Sequence, residues 1–205
     1  MIRIAAIAAV GVAVAALAAT AGVVLLGGSG DDRFAQCRES QVAGADIGGP
    51  FSLVSEDGAR VTDAEVIDRP SLVYFGYSYC PDVCPIDLSR NAVAVDLLTE
   101  QGIDVKPVFI TVDPERDTVQ QMAEYTDFMH PEMVGLTGSV EEVEAAKRAY
   151  RAYSAKVGDD PENYLVDHSS FTYLMAPEEG FLDFFPSNTT AEDMARRTAC
   201  YTELL

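Results

Sequence analysis

Two cysteines separated by three residues, Cys80 and Cys84, lie in the stretch Gly76-Tyr77-Ser78-Tyr79-Cys80-Pro81-Asp82-Val83-Cys84-Pro85. Paired thiols at this spacing can serve as a redox couple or as ligands to a soft ion. A structural disulfide between them would close only a short loop and stabilise little. A thioredoxin-type couple has two intervening residues rather than three, which weakens that reading without excluding redox chemistry. A thiol peroxidase would place a threonine three residues before its reactive cysteine; Tyr77 and Pro81 stand there instead. The chain has two histidines. His130, ahead of Pro131 and just past a helical pattern, reads as a helix C-cap. His168, in Asp167-His168-Ser169-Ser170, is by itself a satisfied loop histidine. It becomes a third ligand if the fold lays its loop beside the cysteines. Two thiolates and one imidazole suit Cu(I), Cu(II) or zinc, and a closed zinc site would need a fourth protein ligand that no further cysteine obviously offers.

These residues need elements to carry them. Ser71 to Gly76 is β-branched and aromatic at its centre (Val73, Tyr74, Phe75), a buried strand that delivers the cysteines. Pro85 can open the next helix, which places Cys84 at the N-cap, where the helix dipole and unpaired N–H groups favour a thiolate. Leu88, Ala92, Val95 and Leu98 continue that helix to Gly102. Upstream, Phe51–Val54 and Arg60–Thr62 flank an Asp57-Gly58 turn, a hairpin. Downstream come a strand over Val105–Val112 and a helix capped by Asp117 and Gln120. A short strand over Met133–Leu136 follows. A helix capped by Ser139 and Glu142 then carries Val140, Val143, Ala146, Tyr150, Tyr153 and Val157 on one face. Strands at Ser170–Met175 and Phe181–Phe185 and a helix begun by Thr189 complete the chain. Strands alternating with helices imply an α/β fold, a central mixed sheet flanked by helices, and the cysteine loop at a helix N-terminus makes it thioredoxin-like.

The 205 residues divide unevenly. Ile4–Leu26 is apolar apart from Thr20 and long enough, at ~1.5 Å per residue, to cross a ~30 Å hydrocarbon core. Arg3 before it and Asp31 and Asp32 after it place the N-terminus in the cytoplasm and the remainder outside. The same stretch could be a signal peptide cleaved near Ala19-Thr20-Ala21. The expected organisation is a transmembrane anchor and flank at 1–30, a tether at 31–49 containing Cys37, and one domain at 50–205. A net charge of −19 argues against nucleic acid, which needs a basic footprint. In an exported domain Cys37 and Cys200 can pair, pinning the tether to the last helix.

Gly76–Pro85, Val112-Asp113-Pro114-Glu115-Arg116-Asp117-Thr118 and Tyr164-Leu165-Val166-Asp167-His168-Ser169 together resemble the Sco/SenC family, over about Pro50 to Leu205 plus the anchor. That family consists of membrane-anchored, thioredoxin-fold copper proteins serving assembly of the binuclear copper site of cytochrome c oxidase. The resemblance implies Cys80, Cys84 and His168 as ligands to one copper per monomer, as Cu(I) or Cu(II). It places Asp113 and Asp167 at acidic positions that could support the ligands. It implies a copper chaperone rather than an enzyme, in the cell inner membrane with its domain in the periplasm. Its partners would be an upstream copper donor and the copper-bearing oxidase subunit. The chain departs from the pattern at Tyr77 and Tyr79, where threonine or histidine is more usual. Without His168 at the cysteines the residues would instead describe a thiol–disulfide oxidoreductase, and a redox or copper sensor is a third reading.

Overall fold

The apolar run Ser71–Gly76 is a strand buried at every residue, which demands paired neighbours on both edges and cover on both faces. A computed structural model, describing residues 33–38, 46–160 and 163–205, supplies them. The strands are β1 (Ser52–Ser55), β2 (Arg60–Thr62), β3 (Ser71–Gly76), β4 (Lys106–Thr111), β5 (Val134–Thr137), β6 (Ser154–Val157), β7 (Leu165–His168), β8 (Phe171–Ala176) and β9 (Gly180–Pro186). The helices are α1 (Asp63–Val66), α2 (Val83–Glu100), α3 (Val119–Met129), α4 (Val140–Tyr150) and α5 (Ala191–Thr202). The chain divides into two units, residues 1–36 and 37–205, and all these elements lie in the second. The apolar stretch Ile4–Leu26 and most of the tether lie outside the described residues. Among the described residues no helix is long and apolar enough to cross a membrane.

Seven strands form one mixed sheet in the order β2-β1-β5-β4-β3-β8-β9. β3 pairs with β4 and β4 with β5 in parallel, and every other pairing within this sheet is antiparallel. β3 and β4, central and buried at all positions, put Val73, Tyr74, Phe75, Val108, Phe109 and Ile110 into the core. This is the expected thioredoxin-like arrangement, and it holds the carboxyl end of β3 directly before the first turn of α2.

Several local expectations are corrected. α2 begins at Val83 with Asp82 as N-cap, so Cys84 and Pro85 lie inside the first turn rather than at its threshold. α3 is capped by Thr118, whose hydroxyl accepts from the Gln121 N–H; Asp117 is buried and engaged elsewhere. The last helix is capped by Thr190 rather than Thr189. The helix begun by the Ser139–Glu142 capping box stops at Tyr150, with Arg151 left-handed at φ 53°. Tyr153 and Val157 keep helical spacing from Tyr150 but are exposed, Tyr153 just ahead of a β-ribbon and Val157 within it. No glycine marks that helix end, so periodicity overran it. The ribbon pairs β6 with β7 from Ser154↔His168 to Val157↔Leu165 and forms a sheet of its own.

Candidate metal centre

The site forms where the end of β3, the first turn of α2 and the tip of the ribbon meet. Cys84 is fully buried and Cys80 nearly so, both with free thiols. The loop is a tight turn: the Cys80 N–H donates to the Tyr77 carbonyl (3.2 Å), and the Cys84 N–H donates to Cys80 Sγ (3.3 Å). His168, at the last position of β7, brings Nε2 to 3.2 Å from Cys84 Sγ. The two sulfurs and an imidazole nitrogen lie within 4.8 Å of one another. His168 Nδ1 is 3.0 Å from the Ser169 carbonyl oxygen. A carbonyl only accepts, so Nδ1 carries a proton, and Nε2 is the nitrogen turned toward the sulfurs. The ring is held edge-on between Tyr74 and Tyr77, with centroids 6.1 and 5.9 Å away.

The thiols are unequal. Cys80 is pushed well down, first by the hydrogen bond from the Cys84 thiol, against an opposing effect of burial. His168 and the backbone N–H groups of Asp82 and Cys84 add to it. Cys84 is pushed up, because it holds the proton shared with Cys80 and is more deeply buried. The helix N-terminus therefore stabilises charge on Cys80, not on Cys84 as the N-cap expectation had it.

Asp113 is buried and does not touch the ligand atoms. Its carboxylate accepts from Arg116 Nε (2.5 Å) and from the Tyr164 hydroxyl (2.6 Å). Asp167 is exposed and lines an open groove of about 390 Å³ with Cys80, Pro81, Asp82, Val83, Leu165 and His168. Cys37 and Cys200 form a disulfide, with Cα atoms 5.6 Å apart. His130 is the C-cap of α3.

Three contributors escaped the sequence reading. Asp117, assigned to a cap, accepts from the Ser78 N–H (3.1 Å), the Ser78 hydroxyl (2.5 Å) and the Thr111 hydroxyl (2.5 Å), fastening the cysteine loop to the end of β4. Burial pushes its carboxyl up. Beneath the sulfurs, the Tyr74 hydroxyl donates to the buried carboxylate of Asp87 (3.0 Å). Arg116 lies among Tyr77, Tyr79 and Tyr164. The available signal was the clustering of Asp113, Arg116 and Asp117 on one loop.

A thioredoxin-like sheet carrying two thiols at a helix start, with a histidine folded over them from a ribbon, defines a class of thiol–imidazole site proteins. The SCO1/SenC family model matches residues 39–203, and the chain belongs to that family. It is 55% identical over 201 residues to Protein SenC of Rhodobacter capsulatus, covering 93% of this chain and 91% of that protein. It is 48% identical over 159 residues to Protein SCO1 homolog 1, mitochondrial, of Arabidopsis thaliana, covering 77% of this chain but 48% of that longer protein. Among solved structures, Arabidopsis thaliana ScoI with copper bound superposes at a TM-score of 0.72 with 45% identity, over 77% of this chain and 99% of that one.

Proposed function

We propose that this protein is a copper chaperone that binds one copper through Cys80, Cys84 and His168 and delivers it to the copper-bearing subunit of cytochrome c oxidase during assembly. The observation that carries the reading is the convergence of two sulfurs and one imidazole nitrogen within 4.8 Å. Family membership and the copper held by the Arabidopsis relative support the identity of the ion. The donor set fits it: among the described residues no carboxylate or fourth ligand joins the cluster, as a closed zinc site would require, whereas two thiolates and one imidazole satisfy Cu(I). The chain's part in delivery follows from its geometry. Cys80 lines the open groove, while Cys84 is fully buried. An incoming thiolate therefore meets Cys80 first, and ligand exchange proceeds from the exposed side inward. Oxidation of the pair to a disulfide would remove both sulfur ligands, so thiol redox state gates loading.

The proposed organisation is an inner-membrane anchor at 1–30, a tether at 31–49 and a periplasmic domain at 50–205. An upstream donor loads the site. Asp113 supports the ligands indirectly through the contacts of its loop.

The test is anaerobic Cu(I) titration of the reduced protein against a competing chelator. One tight equivalent is expected, weakened strongly in Cys80→Ser, Cys84→Ser and His168→Ala. A reduced wild type that fails to take the ion from the chelator ends the chaperone reading. A second reading, a thiol–disulfide oxidoreductase acting on the oxidase subunit's cysteines, is favoured by the depressed Cys80 thiol beside a protonated Cys84. His168→Ala separates the two. Reductase turnover should persist in that variant, whereas copper affinity should fall.

A further inference from the structure

The ribbon that supplies His168 hydrogen-bonds to no strand of the main sheet, because β6 and β7 pair only with each other. Its register against the cysteines must therefore be fixed by side chains. One residue touches every segment involved. Arg116, on the β4–α3 loop, donates from Nε to Asp113 (2.5 Å) and from Nη1 to the Tyr164 carbonyl at the base of β7 (3.1 Å). Its guanidinium carbon stands 3.6 Å from the Tyr164 ring centroid, 4.9 Å from Tyr79 and 5.6 Å from Tyr77. Tyr79 and Tyr77 belong to the cysteine loop. The Tyr164 hydroxyl donates to the same Asp113, closing a ring of contacts. Tyr77 extends the chain to the ligand: its hydroxyl oxygen accepts the Val166 N–H (3.2 Å), and its ring lies edge-on to the imidazole of His168. Nη2 is buried and finds no acceptor among the described residues, so on that side the guanidinium acts on the rings through its charge.

We propose that Arg116 is the positioning residue for His168, clamping the ribbon to the cysteine loop so that the site presents three ligands rather than two. The proposal rests on the copper reading for its functional consequence, but the clamp itself exists without metal. Lysine would keep the charge opposite Asp113. It would lose the second arm to the Tyr164 carbonyl and the flat face against the tyrosines. Removing the cation outright would strand the buried Asp113 carboxylate, so Arg116→Met is paired with Asp113→Asn.

The test uses the full-length reduced protein and two readouts. The first is carbethoxylation of the metal-free protein by diethylpyrocarbonate, with modification at each histidine followed by mass spectrometry. His168 is expected to react faster in Arg116→Lys, and faster still in Arg116→Met/Asp113→Asn. His130, held at the end of α3, serves as the internal control and should keep its wild-type rate. The second readout is Cu(I) affinity by chelator competition. Both variants should lose about tenfold or more, and combining either with His168→Ala should cost no more than His168→Ala alone. Unchanged His168 reactivity overturns the proposal, as does equal acceleration at His130, which would signal general loosening. A loss of affinity that adds fully to that of His168→Ala would also overturn it. A wild type that binds no copper, but whose His168 reactivity still follows Arg116, leaves the clamp standing and removes the chaperone reading instead.

Discussion

At the residue scale, the centre is asymmetric. Cys84 is enclosed by the core and keeps its proton, while Cys80 lies at the groove and takes the charge. A thiol whose ordinary value is ~8.5 becomes about tenfold less reactive for each unit the pH falls below that value. Cys80 is depressed by its neighbours, so its thiolate persists as the solution is acidified. Alkylation by iodoacetamide in the metal-free reduced protein should therefore hold a nearly constant rate between about pH 8 and 6. Modification should fall on Cys80 before Cys84. A rate dropping in proportion to hydroxide across that window would show a protonated Cys80. The Nδ1 proton of His168, committed to the Ser169 carbonyl, fixes which nitrogen faces the sulfurs.

At the element scale, the close approach of α2 to β3 leaves no spare volume. A Cβ built on Gly76 would lie 2.8 Å from Cys84 Sγ and 2.9 Å from the side chains of Phe109 and Tyr74. Both rings are fully buried and packed within the sheet. Relief must then come largely from the sulfur and the first turn of α2. Gly76→Ala is expected to destabilise the fold by about 1–3 kcal/mol in chemical denaturation and to weaken copper binding as well. A variant of wild-type stability and affinity would mean that α2 moves freely against β3. The ribbon is the contrasting case, an element without ladder bonds to the body that depends on Tyr77, Arg116 and Tyr164.

At the scale of the whole molecule, one covalent link joins residues far apart in the chain. The Cys37–Cys200 disulfide closes a separation of 163 residues, tying the segment ahead of the domain to α5. Cross-linking so long a loop restricts the unfolded chain strongly and is typically worth about 2–4 kcal/mol. Paired Cys37→Ser and Cys200→Ser substitutions should lower the unfolding free energy by that amount in chemical denaturation. Cu(I) stoichiometry should stay at one, because the proposed ligands sit on the loop after β3, on α2 and on the ribbon. Loss of copper binding in that double variant would show that the link reaches the centre.

The sequence by itself determined much of this. The apolar run at Val73–Phe75 could only be a buried strand, and the Asp57-Gly58 turn and the Ser139–Glu142 box are local chemistry, legible because their causes lie within a few residues. Cys80 and Cys84 could be recognised for the same reason. What the tertiary structure decided was every relation between distant segments. Asp117 has the composition of a helix cap, yet the fold gives it Ser78 and Thr111 as partners. Tyr153 and Val157 have the spacing of a helix, yet they follow a left-handed arginine into a ribbon. His168 had no local mark of a ligand, since its role depends on a neighbour 84 residues away. Local signals record the free energy of adjacent residues, whereas a site assembled from three segments records the packing of the entire domain.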